Sequence, residues 1–236
     1  MIGKIVKEAI QNGTTTRDDI FITSKIPPDF MGKEKSIECI NQSLQNFDLD
    51  YIDLMLIHYP GTKGLKQDDP KNKQNRIETW KVLESYVKQG SIISIGLSNF
   101  TKNHVQEILE ICEIKPVVNQ IEIHPLYVEE DTIDFCMQNE ILMQSYSPFA
   151  RFDSRLIQHD IMKKIEKDSG IPVNKIILLW HIQKGFFVLP KSVHKERITD
   201  NFSIQGYELS DQQMKEIDSI HKEQQTKVCW DPKGIL

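Results

Sequence analysis

The sequence predicts a single α/β barrel domain of parallel strands over residues 1–236, and three observations predict it. Six apolar runs of strand length alternate with segments of helical spacing. Runs such as Asp53-Leu-Met-Leu-Ile57 lack the two-residue alternation of a half-exposed strand, so both faces are covered, as in parallel sheets flanked by helices. Each run also ends on polar residues, and α/β barrels assemble their sites at the C-terminal ends of their strands. A doubly wound nucleotide fold would concentrate its signal in one Gly-rich turn near the start. No G-x-G-x-x-G or Walker sequence is present.

In chain order, the first element is a helix: Ile2, Ile5, Val6, Ala9 and Ile10 form an amphipathic stripe that Asn12-Gly13 ends. Nothing precedes the stripe to cap it. The strands are expected at 21–25, 51–58, 92–97, 116–123, 141–146 and 186–190. Four helices lie between them, marked by Ile37, Ile40, Leu44 and Phe47; by Ile77, Trp80, Leu83 and Val87; by Val105, Ile108, Leu109 and Cys112; and by Val173, Ile176, Ile177 and Trp180. Segments 61–75 and 151–158 read as long loops over the rim of a site, where loops set specificity. Ser210-Asp-Gln-Gln213 is a capping box, stapled by Leu209 and Met214, for a final helix over about 211–221. Six strands do not close an eight-stranded barrel, and a parallel series that begins on a helix implies a strand upstream. The expectation is an incomplete (β/α)8 barrel with strands three to eight present.

The composition narrows the functions. With 29 Lys and Arg against 34 Asp and Glu, the net charge is -5, which argues against a nucleic-acid partner, since neutralising phosphates needs a basic face. Cys39, Cys112, Cys136 and Cys229 are far apart and make no C-x-x-C or Cys/His cluster, so reduced thiols are expected and a metal site is not. No run reaches the ~18 apolar residues of a membrane span. A cytoplasmic protein without membrane contact is expected.

The polar strand ends are the candidate chemistry: Lys25, His58, Ser98 with Asn99, Gln120 with Glu122, Tyr146 with Ser147, and Lys191 with Ser192. Any one of them serves equally well as a local cap, but six strands agree. Beyond the last strand, Lys191, Ser192 and Arg197 bring two cations and a hydroxyl to the place where barrels bind phosphate.

Together these pieces resemble the aldo-keto reductase family over essentially the whole chain. They are Phe21-Ile-Thr-Ser-Lys25; Leu49-Asp-Tyr-Ile-Asp-Leu-Met-Leu-Ile-His-Tyr-Pro60; Ile95-Gly-Leu-Ser-Asn-Phe100; Val118-Asn-Gln-Ile-Glu-Ile-His-Pro125; Ser145-Tyr-Ser-Pro148; and Leu189-Pro-Lys-Ser192 followed by Arg197 and Asn201. The resemblance implies an NADP-dependent reductase of aldehydes or ketones. Lys25 matches the lysine that tunes a catalytic tyrosine, and His58 the histidine that orients the substrate carbonyl. Ser98, Asn99 and Gln120 match positions that read the nicotinamide carboxamide, and Tyr146 the ring that stacks on the nicotinamide. Ser147, Val193, Asp200 and Asn201 complete the implied cofactor set. Lys191, Ser192 and Arg197 match a 2′-phosphate site, favouring NADP (NADPH) over NAD.

The sequence departs from the family pattern in three places. The family's first signature survives only as Ile2-Gly3, without its Asp and Tyr; Ile93 stands where a basic residue is usual; and Asp200 stands where Glu is common. Tyr59 does not replace the tyrosine, because successive strand residues point to opposite sides and His58 faces the site. The alternative reading is therefore a protein that binds NADP or a partner without catalysis. The substrate is a small carbonyl compound, and Trp230 is either a wall of its pocket or an anchor of the C-terminal tail. The complete family fold implies a monomer, whereas open strand edges in this chain invite association.

Overall fold

The computed structural model describes residues 2–236 and divides into two compact units. One runs to Asn119 and takes in Pro232–Leu236; the other is Gln120–Asp231. All six expected strands form, and they are parallel; five are shorter than their apolar runs, and the strand at Ile92–Ser98 is one residue longer.

In the first unit, β1 (Thr23–Ile26), β2 (Ile52–Ile57) and β3 (Ile92–Ser98) lie in chain order, followed by the first residues of β4 (Val118–Glu122), which carries the chain into the second unit. Lys25 stands opposite Leu56, and Leu56 opposite Gly96. Five of the six residues of β2 are buried, as a strand covered on both faces requires. Gly96 has a packing reason: a Cβ there would lie 2.7 Å from the carbonyl oxygen and Cγ1 of Val118 and 2.8 Å from Leu56 Cδ2. The sheet is covered by α2 (Lys33–Phe47) and α3 (Lys71–Lys88), whose Trp80 and Leu83 are fully buried; α4 (Lys102–Ile111) follows β3. The Arg76 guanidinium of α3 is fully buried and donates to the carbonyls of Pro60 at 2.9 Å and Leu236 at 2.7 Å, and to Glu107 Oε2 at 2.7 Å. That network ties residues 232–236 into the first unit.

The N-terminal stripe folds as α1 (Ile2–Gln11), but it is only partly buried. Val6 packs inward while Ile2 and Ile5 are each 58% exposed. Contact with α2 is made by backbone: a Cβ on Gly3 would meet the Phe47 carbonyl oxygen at 2.2 Å, so only glycine permits the approach.

In the second unit, the remainder of β4 is followed by β5 (Leu142–Tyr146) and β6 (Phe187–Leu189), with Tyr146 opposite Leu189. The helices are α5 (Glu130–Gln138), α6 (Ser154–Ile157), α7 (Asp160–Ser169), α8 (Val173–Gln183), α9 (Lys195–Phe202) and α10 (Asp211–Glu223). Helix α8 buries Val173, Ile176, Ile177 and Trp180 as its spacing requires. The Trp180 indole donates to Asp218 Oδ1 at 2.8 Å, fixing α10. The capping box forms: Gln213 N donates to Ser210 Oγ at 3.3 Å and Ser210 N to Gln213 Oε1 at 2.8 Å.

Three expectations need correction. Helix and strand do not alternate one for one, because α6, α7 and α8 all lie between β5 and β6. The loop read over 61–75 ends earlier, since α3 begins at Lys71. The loop read over 151–158 contains α6, nucleated by Asp153, whose carboxylate accepts from Arg155 N at 2.9 Å. Among the described residues, no helix is long and apolar enough to cross a membrane.

Candidate active site

The candidate residues of the first unit converge at the C-terminal ends of β1, β2 and β3. Lys25 is half-buried near the end of β1, and His58 follows β2, its amide donating to the Ile26 carbonyl at 3.0 Å. Burial pushes the Lys25 ammonium below the ordinary lysine value. Burial also pushes the His58 imidazole down, and the Lys25 charge pushes it further the same way, so the two side chains share one environment. Around neutral pH His58 is therefore an uncharged ring with one N–H to give.

Ser98 ends β3 fully buried, and Asn99 takes a left-handed backbone at φ 62°, a conformation asparagine tolerates better than most residues. The Asn99 amide donates to the His58 carbonyl at 2.9 Å and to Ser98 Oγ at 3.2 Å. Asn99 thereby pins the chain on which His58 sits. The Lys25 charge thus reaches His58, and Asn99 links the His58 backbone to Ser98.

The second unit carries the other candidates. Gln120 on β4 is buried and donates to Gln144 Oε1 at 2.8 Å. Tyr146 closes β5, and Ser147, next in the chain, has a left-handed backbone at φ 51°. Ala150, Arg151 and Phe152 also have positive φ, at 48°, 56° and 61°. Four such non-glycine residues in six mark a segment bent sharply away from its strand.

That bend delivers Phe149 and Phe152, with ring centroids 5.2 Å apart, to a cleft of about 670 Å³. Lys191, Ser192, Val193, Arg197, Asp200 and Asn201 all line this cleft. The loop leading into α9 is shaped by Ser192, whose hydroxyl accepts from His194 N at 3.1 Å. Lys191 and Ser192 before the N-terminus of α9, with Arg197 in its first turn, are a donor set suited to a phosphate. Asp200 is engaged within the protein: Oδ2 accepts from Asn174 Nδ2 at 2.8 Å, and Oδ1 pairs with Lys175 Nζ at 3.1 Å. These two partners hold its carboxyl below the usual range. The cleft also contains Phe149, Phe152, Asn174 and His194, which sequence reasoning did not single out. The run Ser-Pro148-Phe149 after β5 was the available signal, since proline pre-sets the backbone for a turn.

Glu122, whose role the sequence left open, accepts four hydrogen bonds at the end of β4. Trp230 is 71% exposed, so its ring is not a buried anchor. Among the described residues, no three His, Cys, Asp or Glu side chains are grouped so as to hold a metal ion.

Comparison with known proteins identifies the family. The profile of the Aldo/keto reductase family matches residues 1–222. The chain is 34% identical over 215 residues to glyoxal reductase of Bacillus subtilis, covering 91% of this chain and 73% of that protein. It is 30% identical to 9,11-endoperoxide prostaglandin H2 reductase of Trypanosoma cruzi, covering 98% of this chain and 77% of that protein. Among solved structures, a Bombyx mori aldo-keto reductase in complex with NADP superposes with a TM-score of 0.84 at 29% identity, over 97% of this chain and 76% of that one. An aldo-keto reductase from a Medee basin deep-sea metagenome library gives 0.84 at 32% identity, over 95% and 80%. The chain belongs to the aldo/keto reductase family.

Proposed function

We propose that this protein is an NADP-dependent oxidoreductase that reduces a small aldehyde or ketone to the alcohol. In this reading residues 1–236 form a single barrel domain in which β1 to β6 are strands three to eight. The observation that carries the proposal is the convergence of Lys191, Ser192, Arg197 and Asn201 on one cleft at the start of α9. Their chemistry suits the 2′-phosphate that distinguishes NADPH from NADH. Asp200 would stand at the adenine end, and Ser98, Asn99, Gln120 and Tyr146, with Ser147 beside it, would hold the nicotinamide end.

When bound, the reduced nicotinamide supplies a hydride to the carbonyl carbon. His58, kept neutral by burial and by the Lys25 charge, donates its N–H to the carbonyl oxygen and orients the substrate. Hydride addition leaves negative charge on that oxygen; the Lys25 ammonium stabilises it, and a proton drawn from solvent completes the alcohol. Asn99 keeps His58 in position through its carbonyl.

A second reading, binding of the cofactor without turnover, is favoured by the lack of a counterpart within residues 1–236 to the Asp and Tyr of the family's first signature. Turnover separates the two, since general acid catalysis is worth about 10²–10⁴. NADPH oxidation with a reactive aromatic aldehyde that is less than about a hundredth as fast as in a complete family member supports the second reading.

The cofactor site is tested by fluorescence titration of a Lys191→Ala, Arg197→Ala double variant. Charge-assisted contacts to phosphate contribute about 1.5–3 kcal/mol each, so NADPH affinity should fall at least tenfold. NADH affinity should change little. Equal losses for both cofactors would remove the phosphate role from these residues.

A further inference from the structure

Glu122 lies at the end of β4 with its side chain wholly buried, and its carboxylate is saturated by donors. Oε1 accepts from His124 Nε2 at 3.0 Å and from the Val228 amide at 2.6 Å; Oε2 accepts from Lys227 Nζ at 2.9 Å and from the Cys229 amide at 3.1 Å. Three of the four donors belong to the segment that follows α10. The same segment is held by Thr226 N on the Leu126 carbonyl at 2.7 Å and by Gln225 Nε2 on the Val128 carbonyl at 3.0 Å. The Lys227 ammonium also sits 4.3 Å from the centre of the Tyr127 ring. Beyond these contacts the segment brings Cys229 Sγ to 3.7 Å from Ser147 Oγ.

A buried carboxylate is costly unless every lone pair is used, and here each oxygen takes two donors. Burial alone would raise the Glu122 carboxyl; the bonds from His124, Val228 and Lys227 outweigh it and hold it at about 2. Three of its four donors come from the tail, and Ser147 has no helix or strand of its own to fix it. The tail is what the charge holds.

We propose that Glu122 is a positioning residue: its carboxylate latches residues 225–229 onto the end of β4, sets Cys229 against Ser147, and so fixes the nicotinamide end of the cofactor site. The proposal rests on the reading of Ser147 as a cofactor residue. In Glu122→Gln one oxygen becomes an NH2 group that faces donors, so two accepted bonds turn into donor–donor contacts. The latch then opens although shape is conserved. Lys227→Met removes one charged donor from the less deeply buried side and disturbs the wholly buried end less. Lys227→Arg keeps the charge and the ring contact.

The test is amide hydrogen exchange of residues 225–231 in the folded protein, combined with NADPH titration. Glu122→Gln and Lys227→Met should each speed exchange of the Val228 and Cys229 amides at least tenfold and weaken NADPH binding at least threefold, and Lys227→Arg should restore both. Unchanged exchange in both opened variants would overturn the latch. Faster exchange with unchanged NADPH affinity would overturn the positioning role while leaving the family's cofactor reading intact. A wild-type chain that binds no NADPH would overturn that reading instead, and exchange would still decide whether the latch exists. Lys227→Met keeps the test decisive if Glu122→Gln fails to fold.

Discussion

Gly96 shows how one missing methyl group supports a site two residues away. A Cβ there would press on the Val118 carbonyl oxygen at 2.7 Å, and backbone cannot rotate aside as a side chain can. Overpacking a core costs about 1–3 kcal/mol, so Gly96→Ala should lower the melting temperature by at least about 2 °C for a chain of this size. Differential scanning calorimetry measures this; an unchanged melting temperature would mean that β3 and β4 move apart without strain. At this scale the polar residues that close strands were legible in the sequence, because six apolar runs end on them in the same way although any one alone could be a local cap. Lys25, His58, Ser98 and Asn99 stand together, and six of the named cofactor residues line one cleft. Glu122 was legible only as a polar residue, since its partners Lys227, Val228 and Cys229 are more than a hundred positions away. The engagement of Asp200 by Asn174 and Lys175 was hidden for the same reason: a hydrogen bond between a helix start and a helix 26 residues on leaves no local pattern.

Elements were legible in proportion to the apolar face they bury. Helices α2, α3, α4 and α8 announce themselves by spacing, and α8 buries every residue of its predicted stripe. Helix α9 buries no residue at all, so no stripe exists to be read, and α6 is a single turn set by its Asp153 cap. Helix α1 is the converse: its stripe is clean, yet Ile2 and Ile5 face outward. The tail after α10 has no periodic pattern and is held by charge, which gives it a distinctive response to acid. The Glu122 carboxyl sits at about 2 in the folded protein, below its ordinary value, so its stabilising effect is complete above about pH 4.3 and lost as pH falls through about 2. The melting-temperature difference between the wild type and Glu122→Gln should therefore be flat from pH 5 to 7 and shrink steadily below about pH 4. A difference that persists undiminished at pH 2 would show that the effect of the substitution is steric.

At the scale of the whole molecule, β1 and β6 stand at the two ends of the strand order, each with a neighbour on one side. Apolar residues accompany both: Phe21, just before β1, is 66% exposed, and Phe187 and Leu189 on β6 are 53% and 41% exposed. Unpaired apolar edges invite pairing with other chains, so the 236-residue chain is expected to associate as its concentration rises. Light scattering behind a sizing column reads this directly; a Leu189→Lys variant should remain monomeric at concentrations where the wild type does not. A monomer that persists to high concentration would show that the edges are protected. The division into units carries a further consequence through Arg76. Its buried guanidinium is satisfied in part by the Leu236 carbonyl, and Pro232–Leu236 belong to the first unit although all of the second precedes them in sequence. Synthesis therefore delivers one acceptor of this cation only after the whole of the second unit has been made.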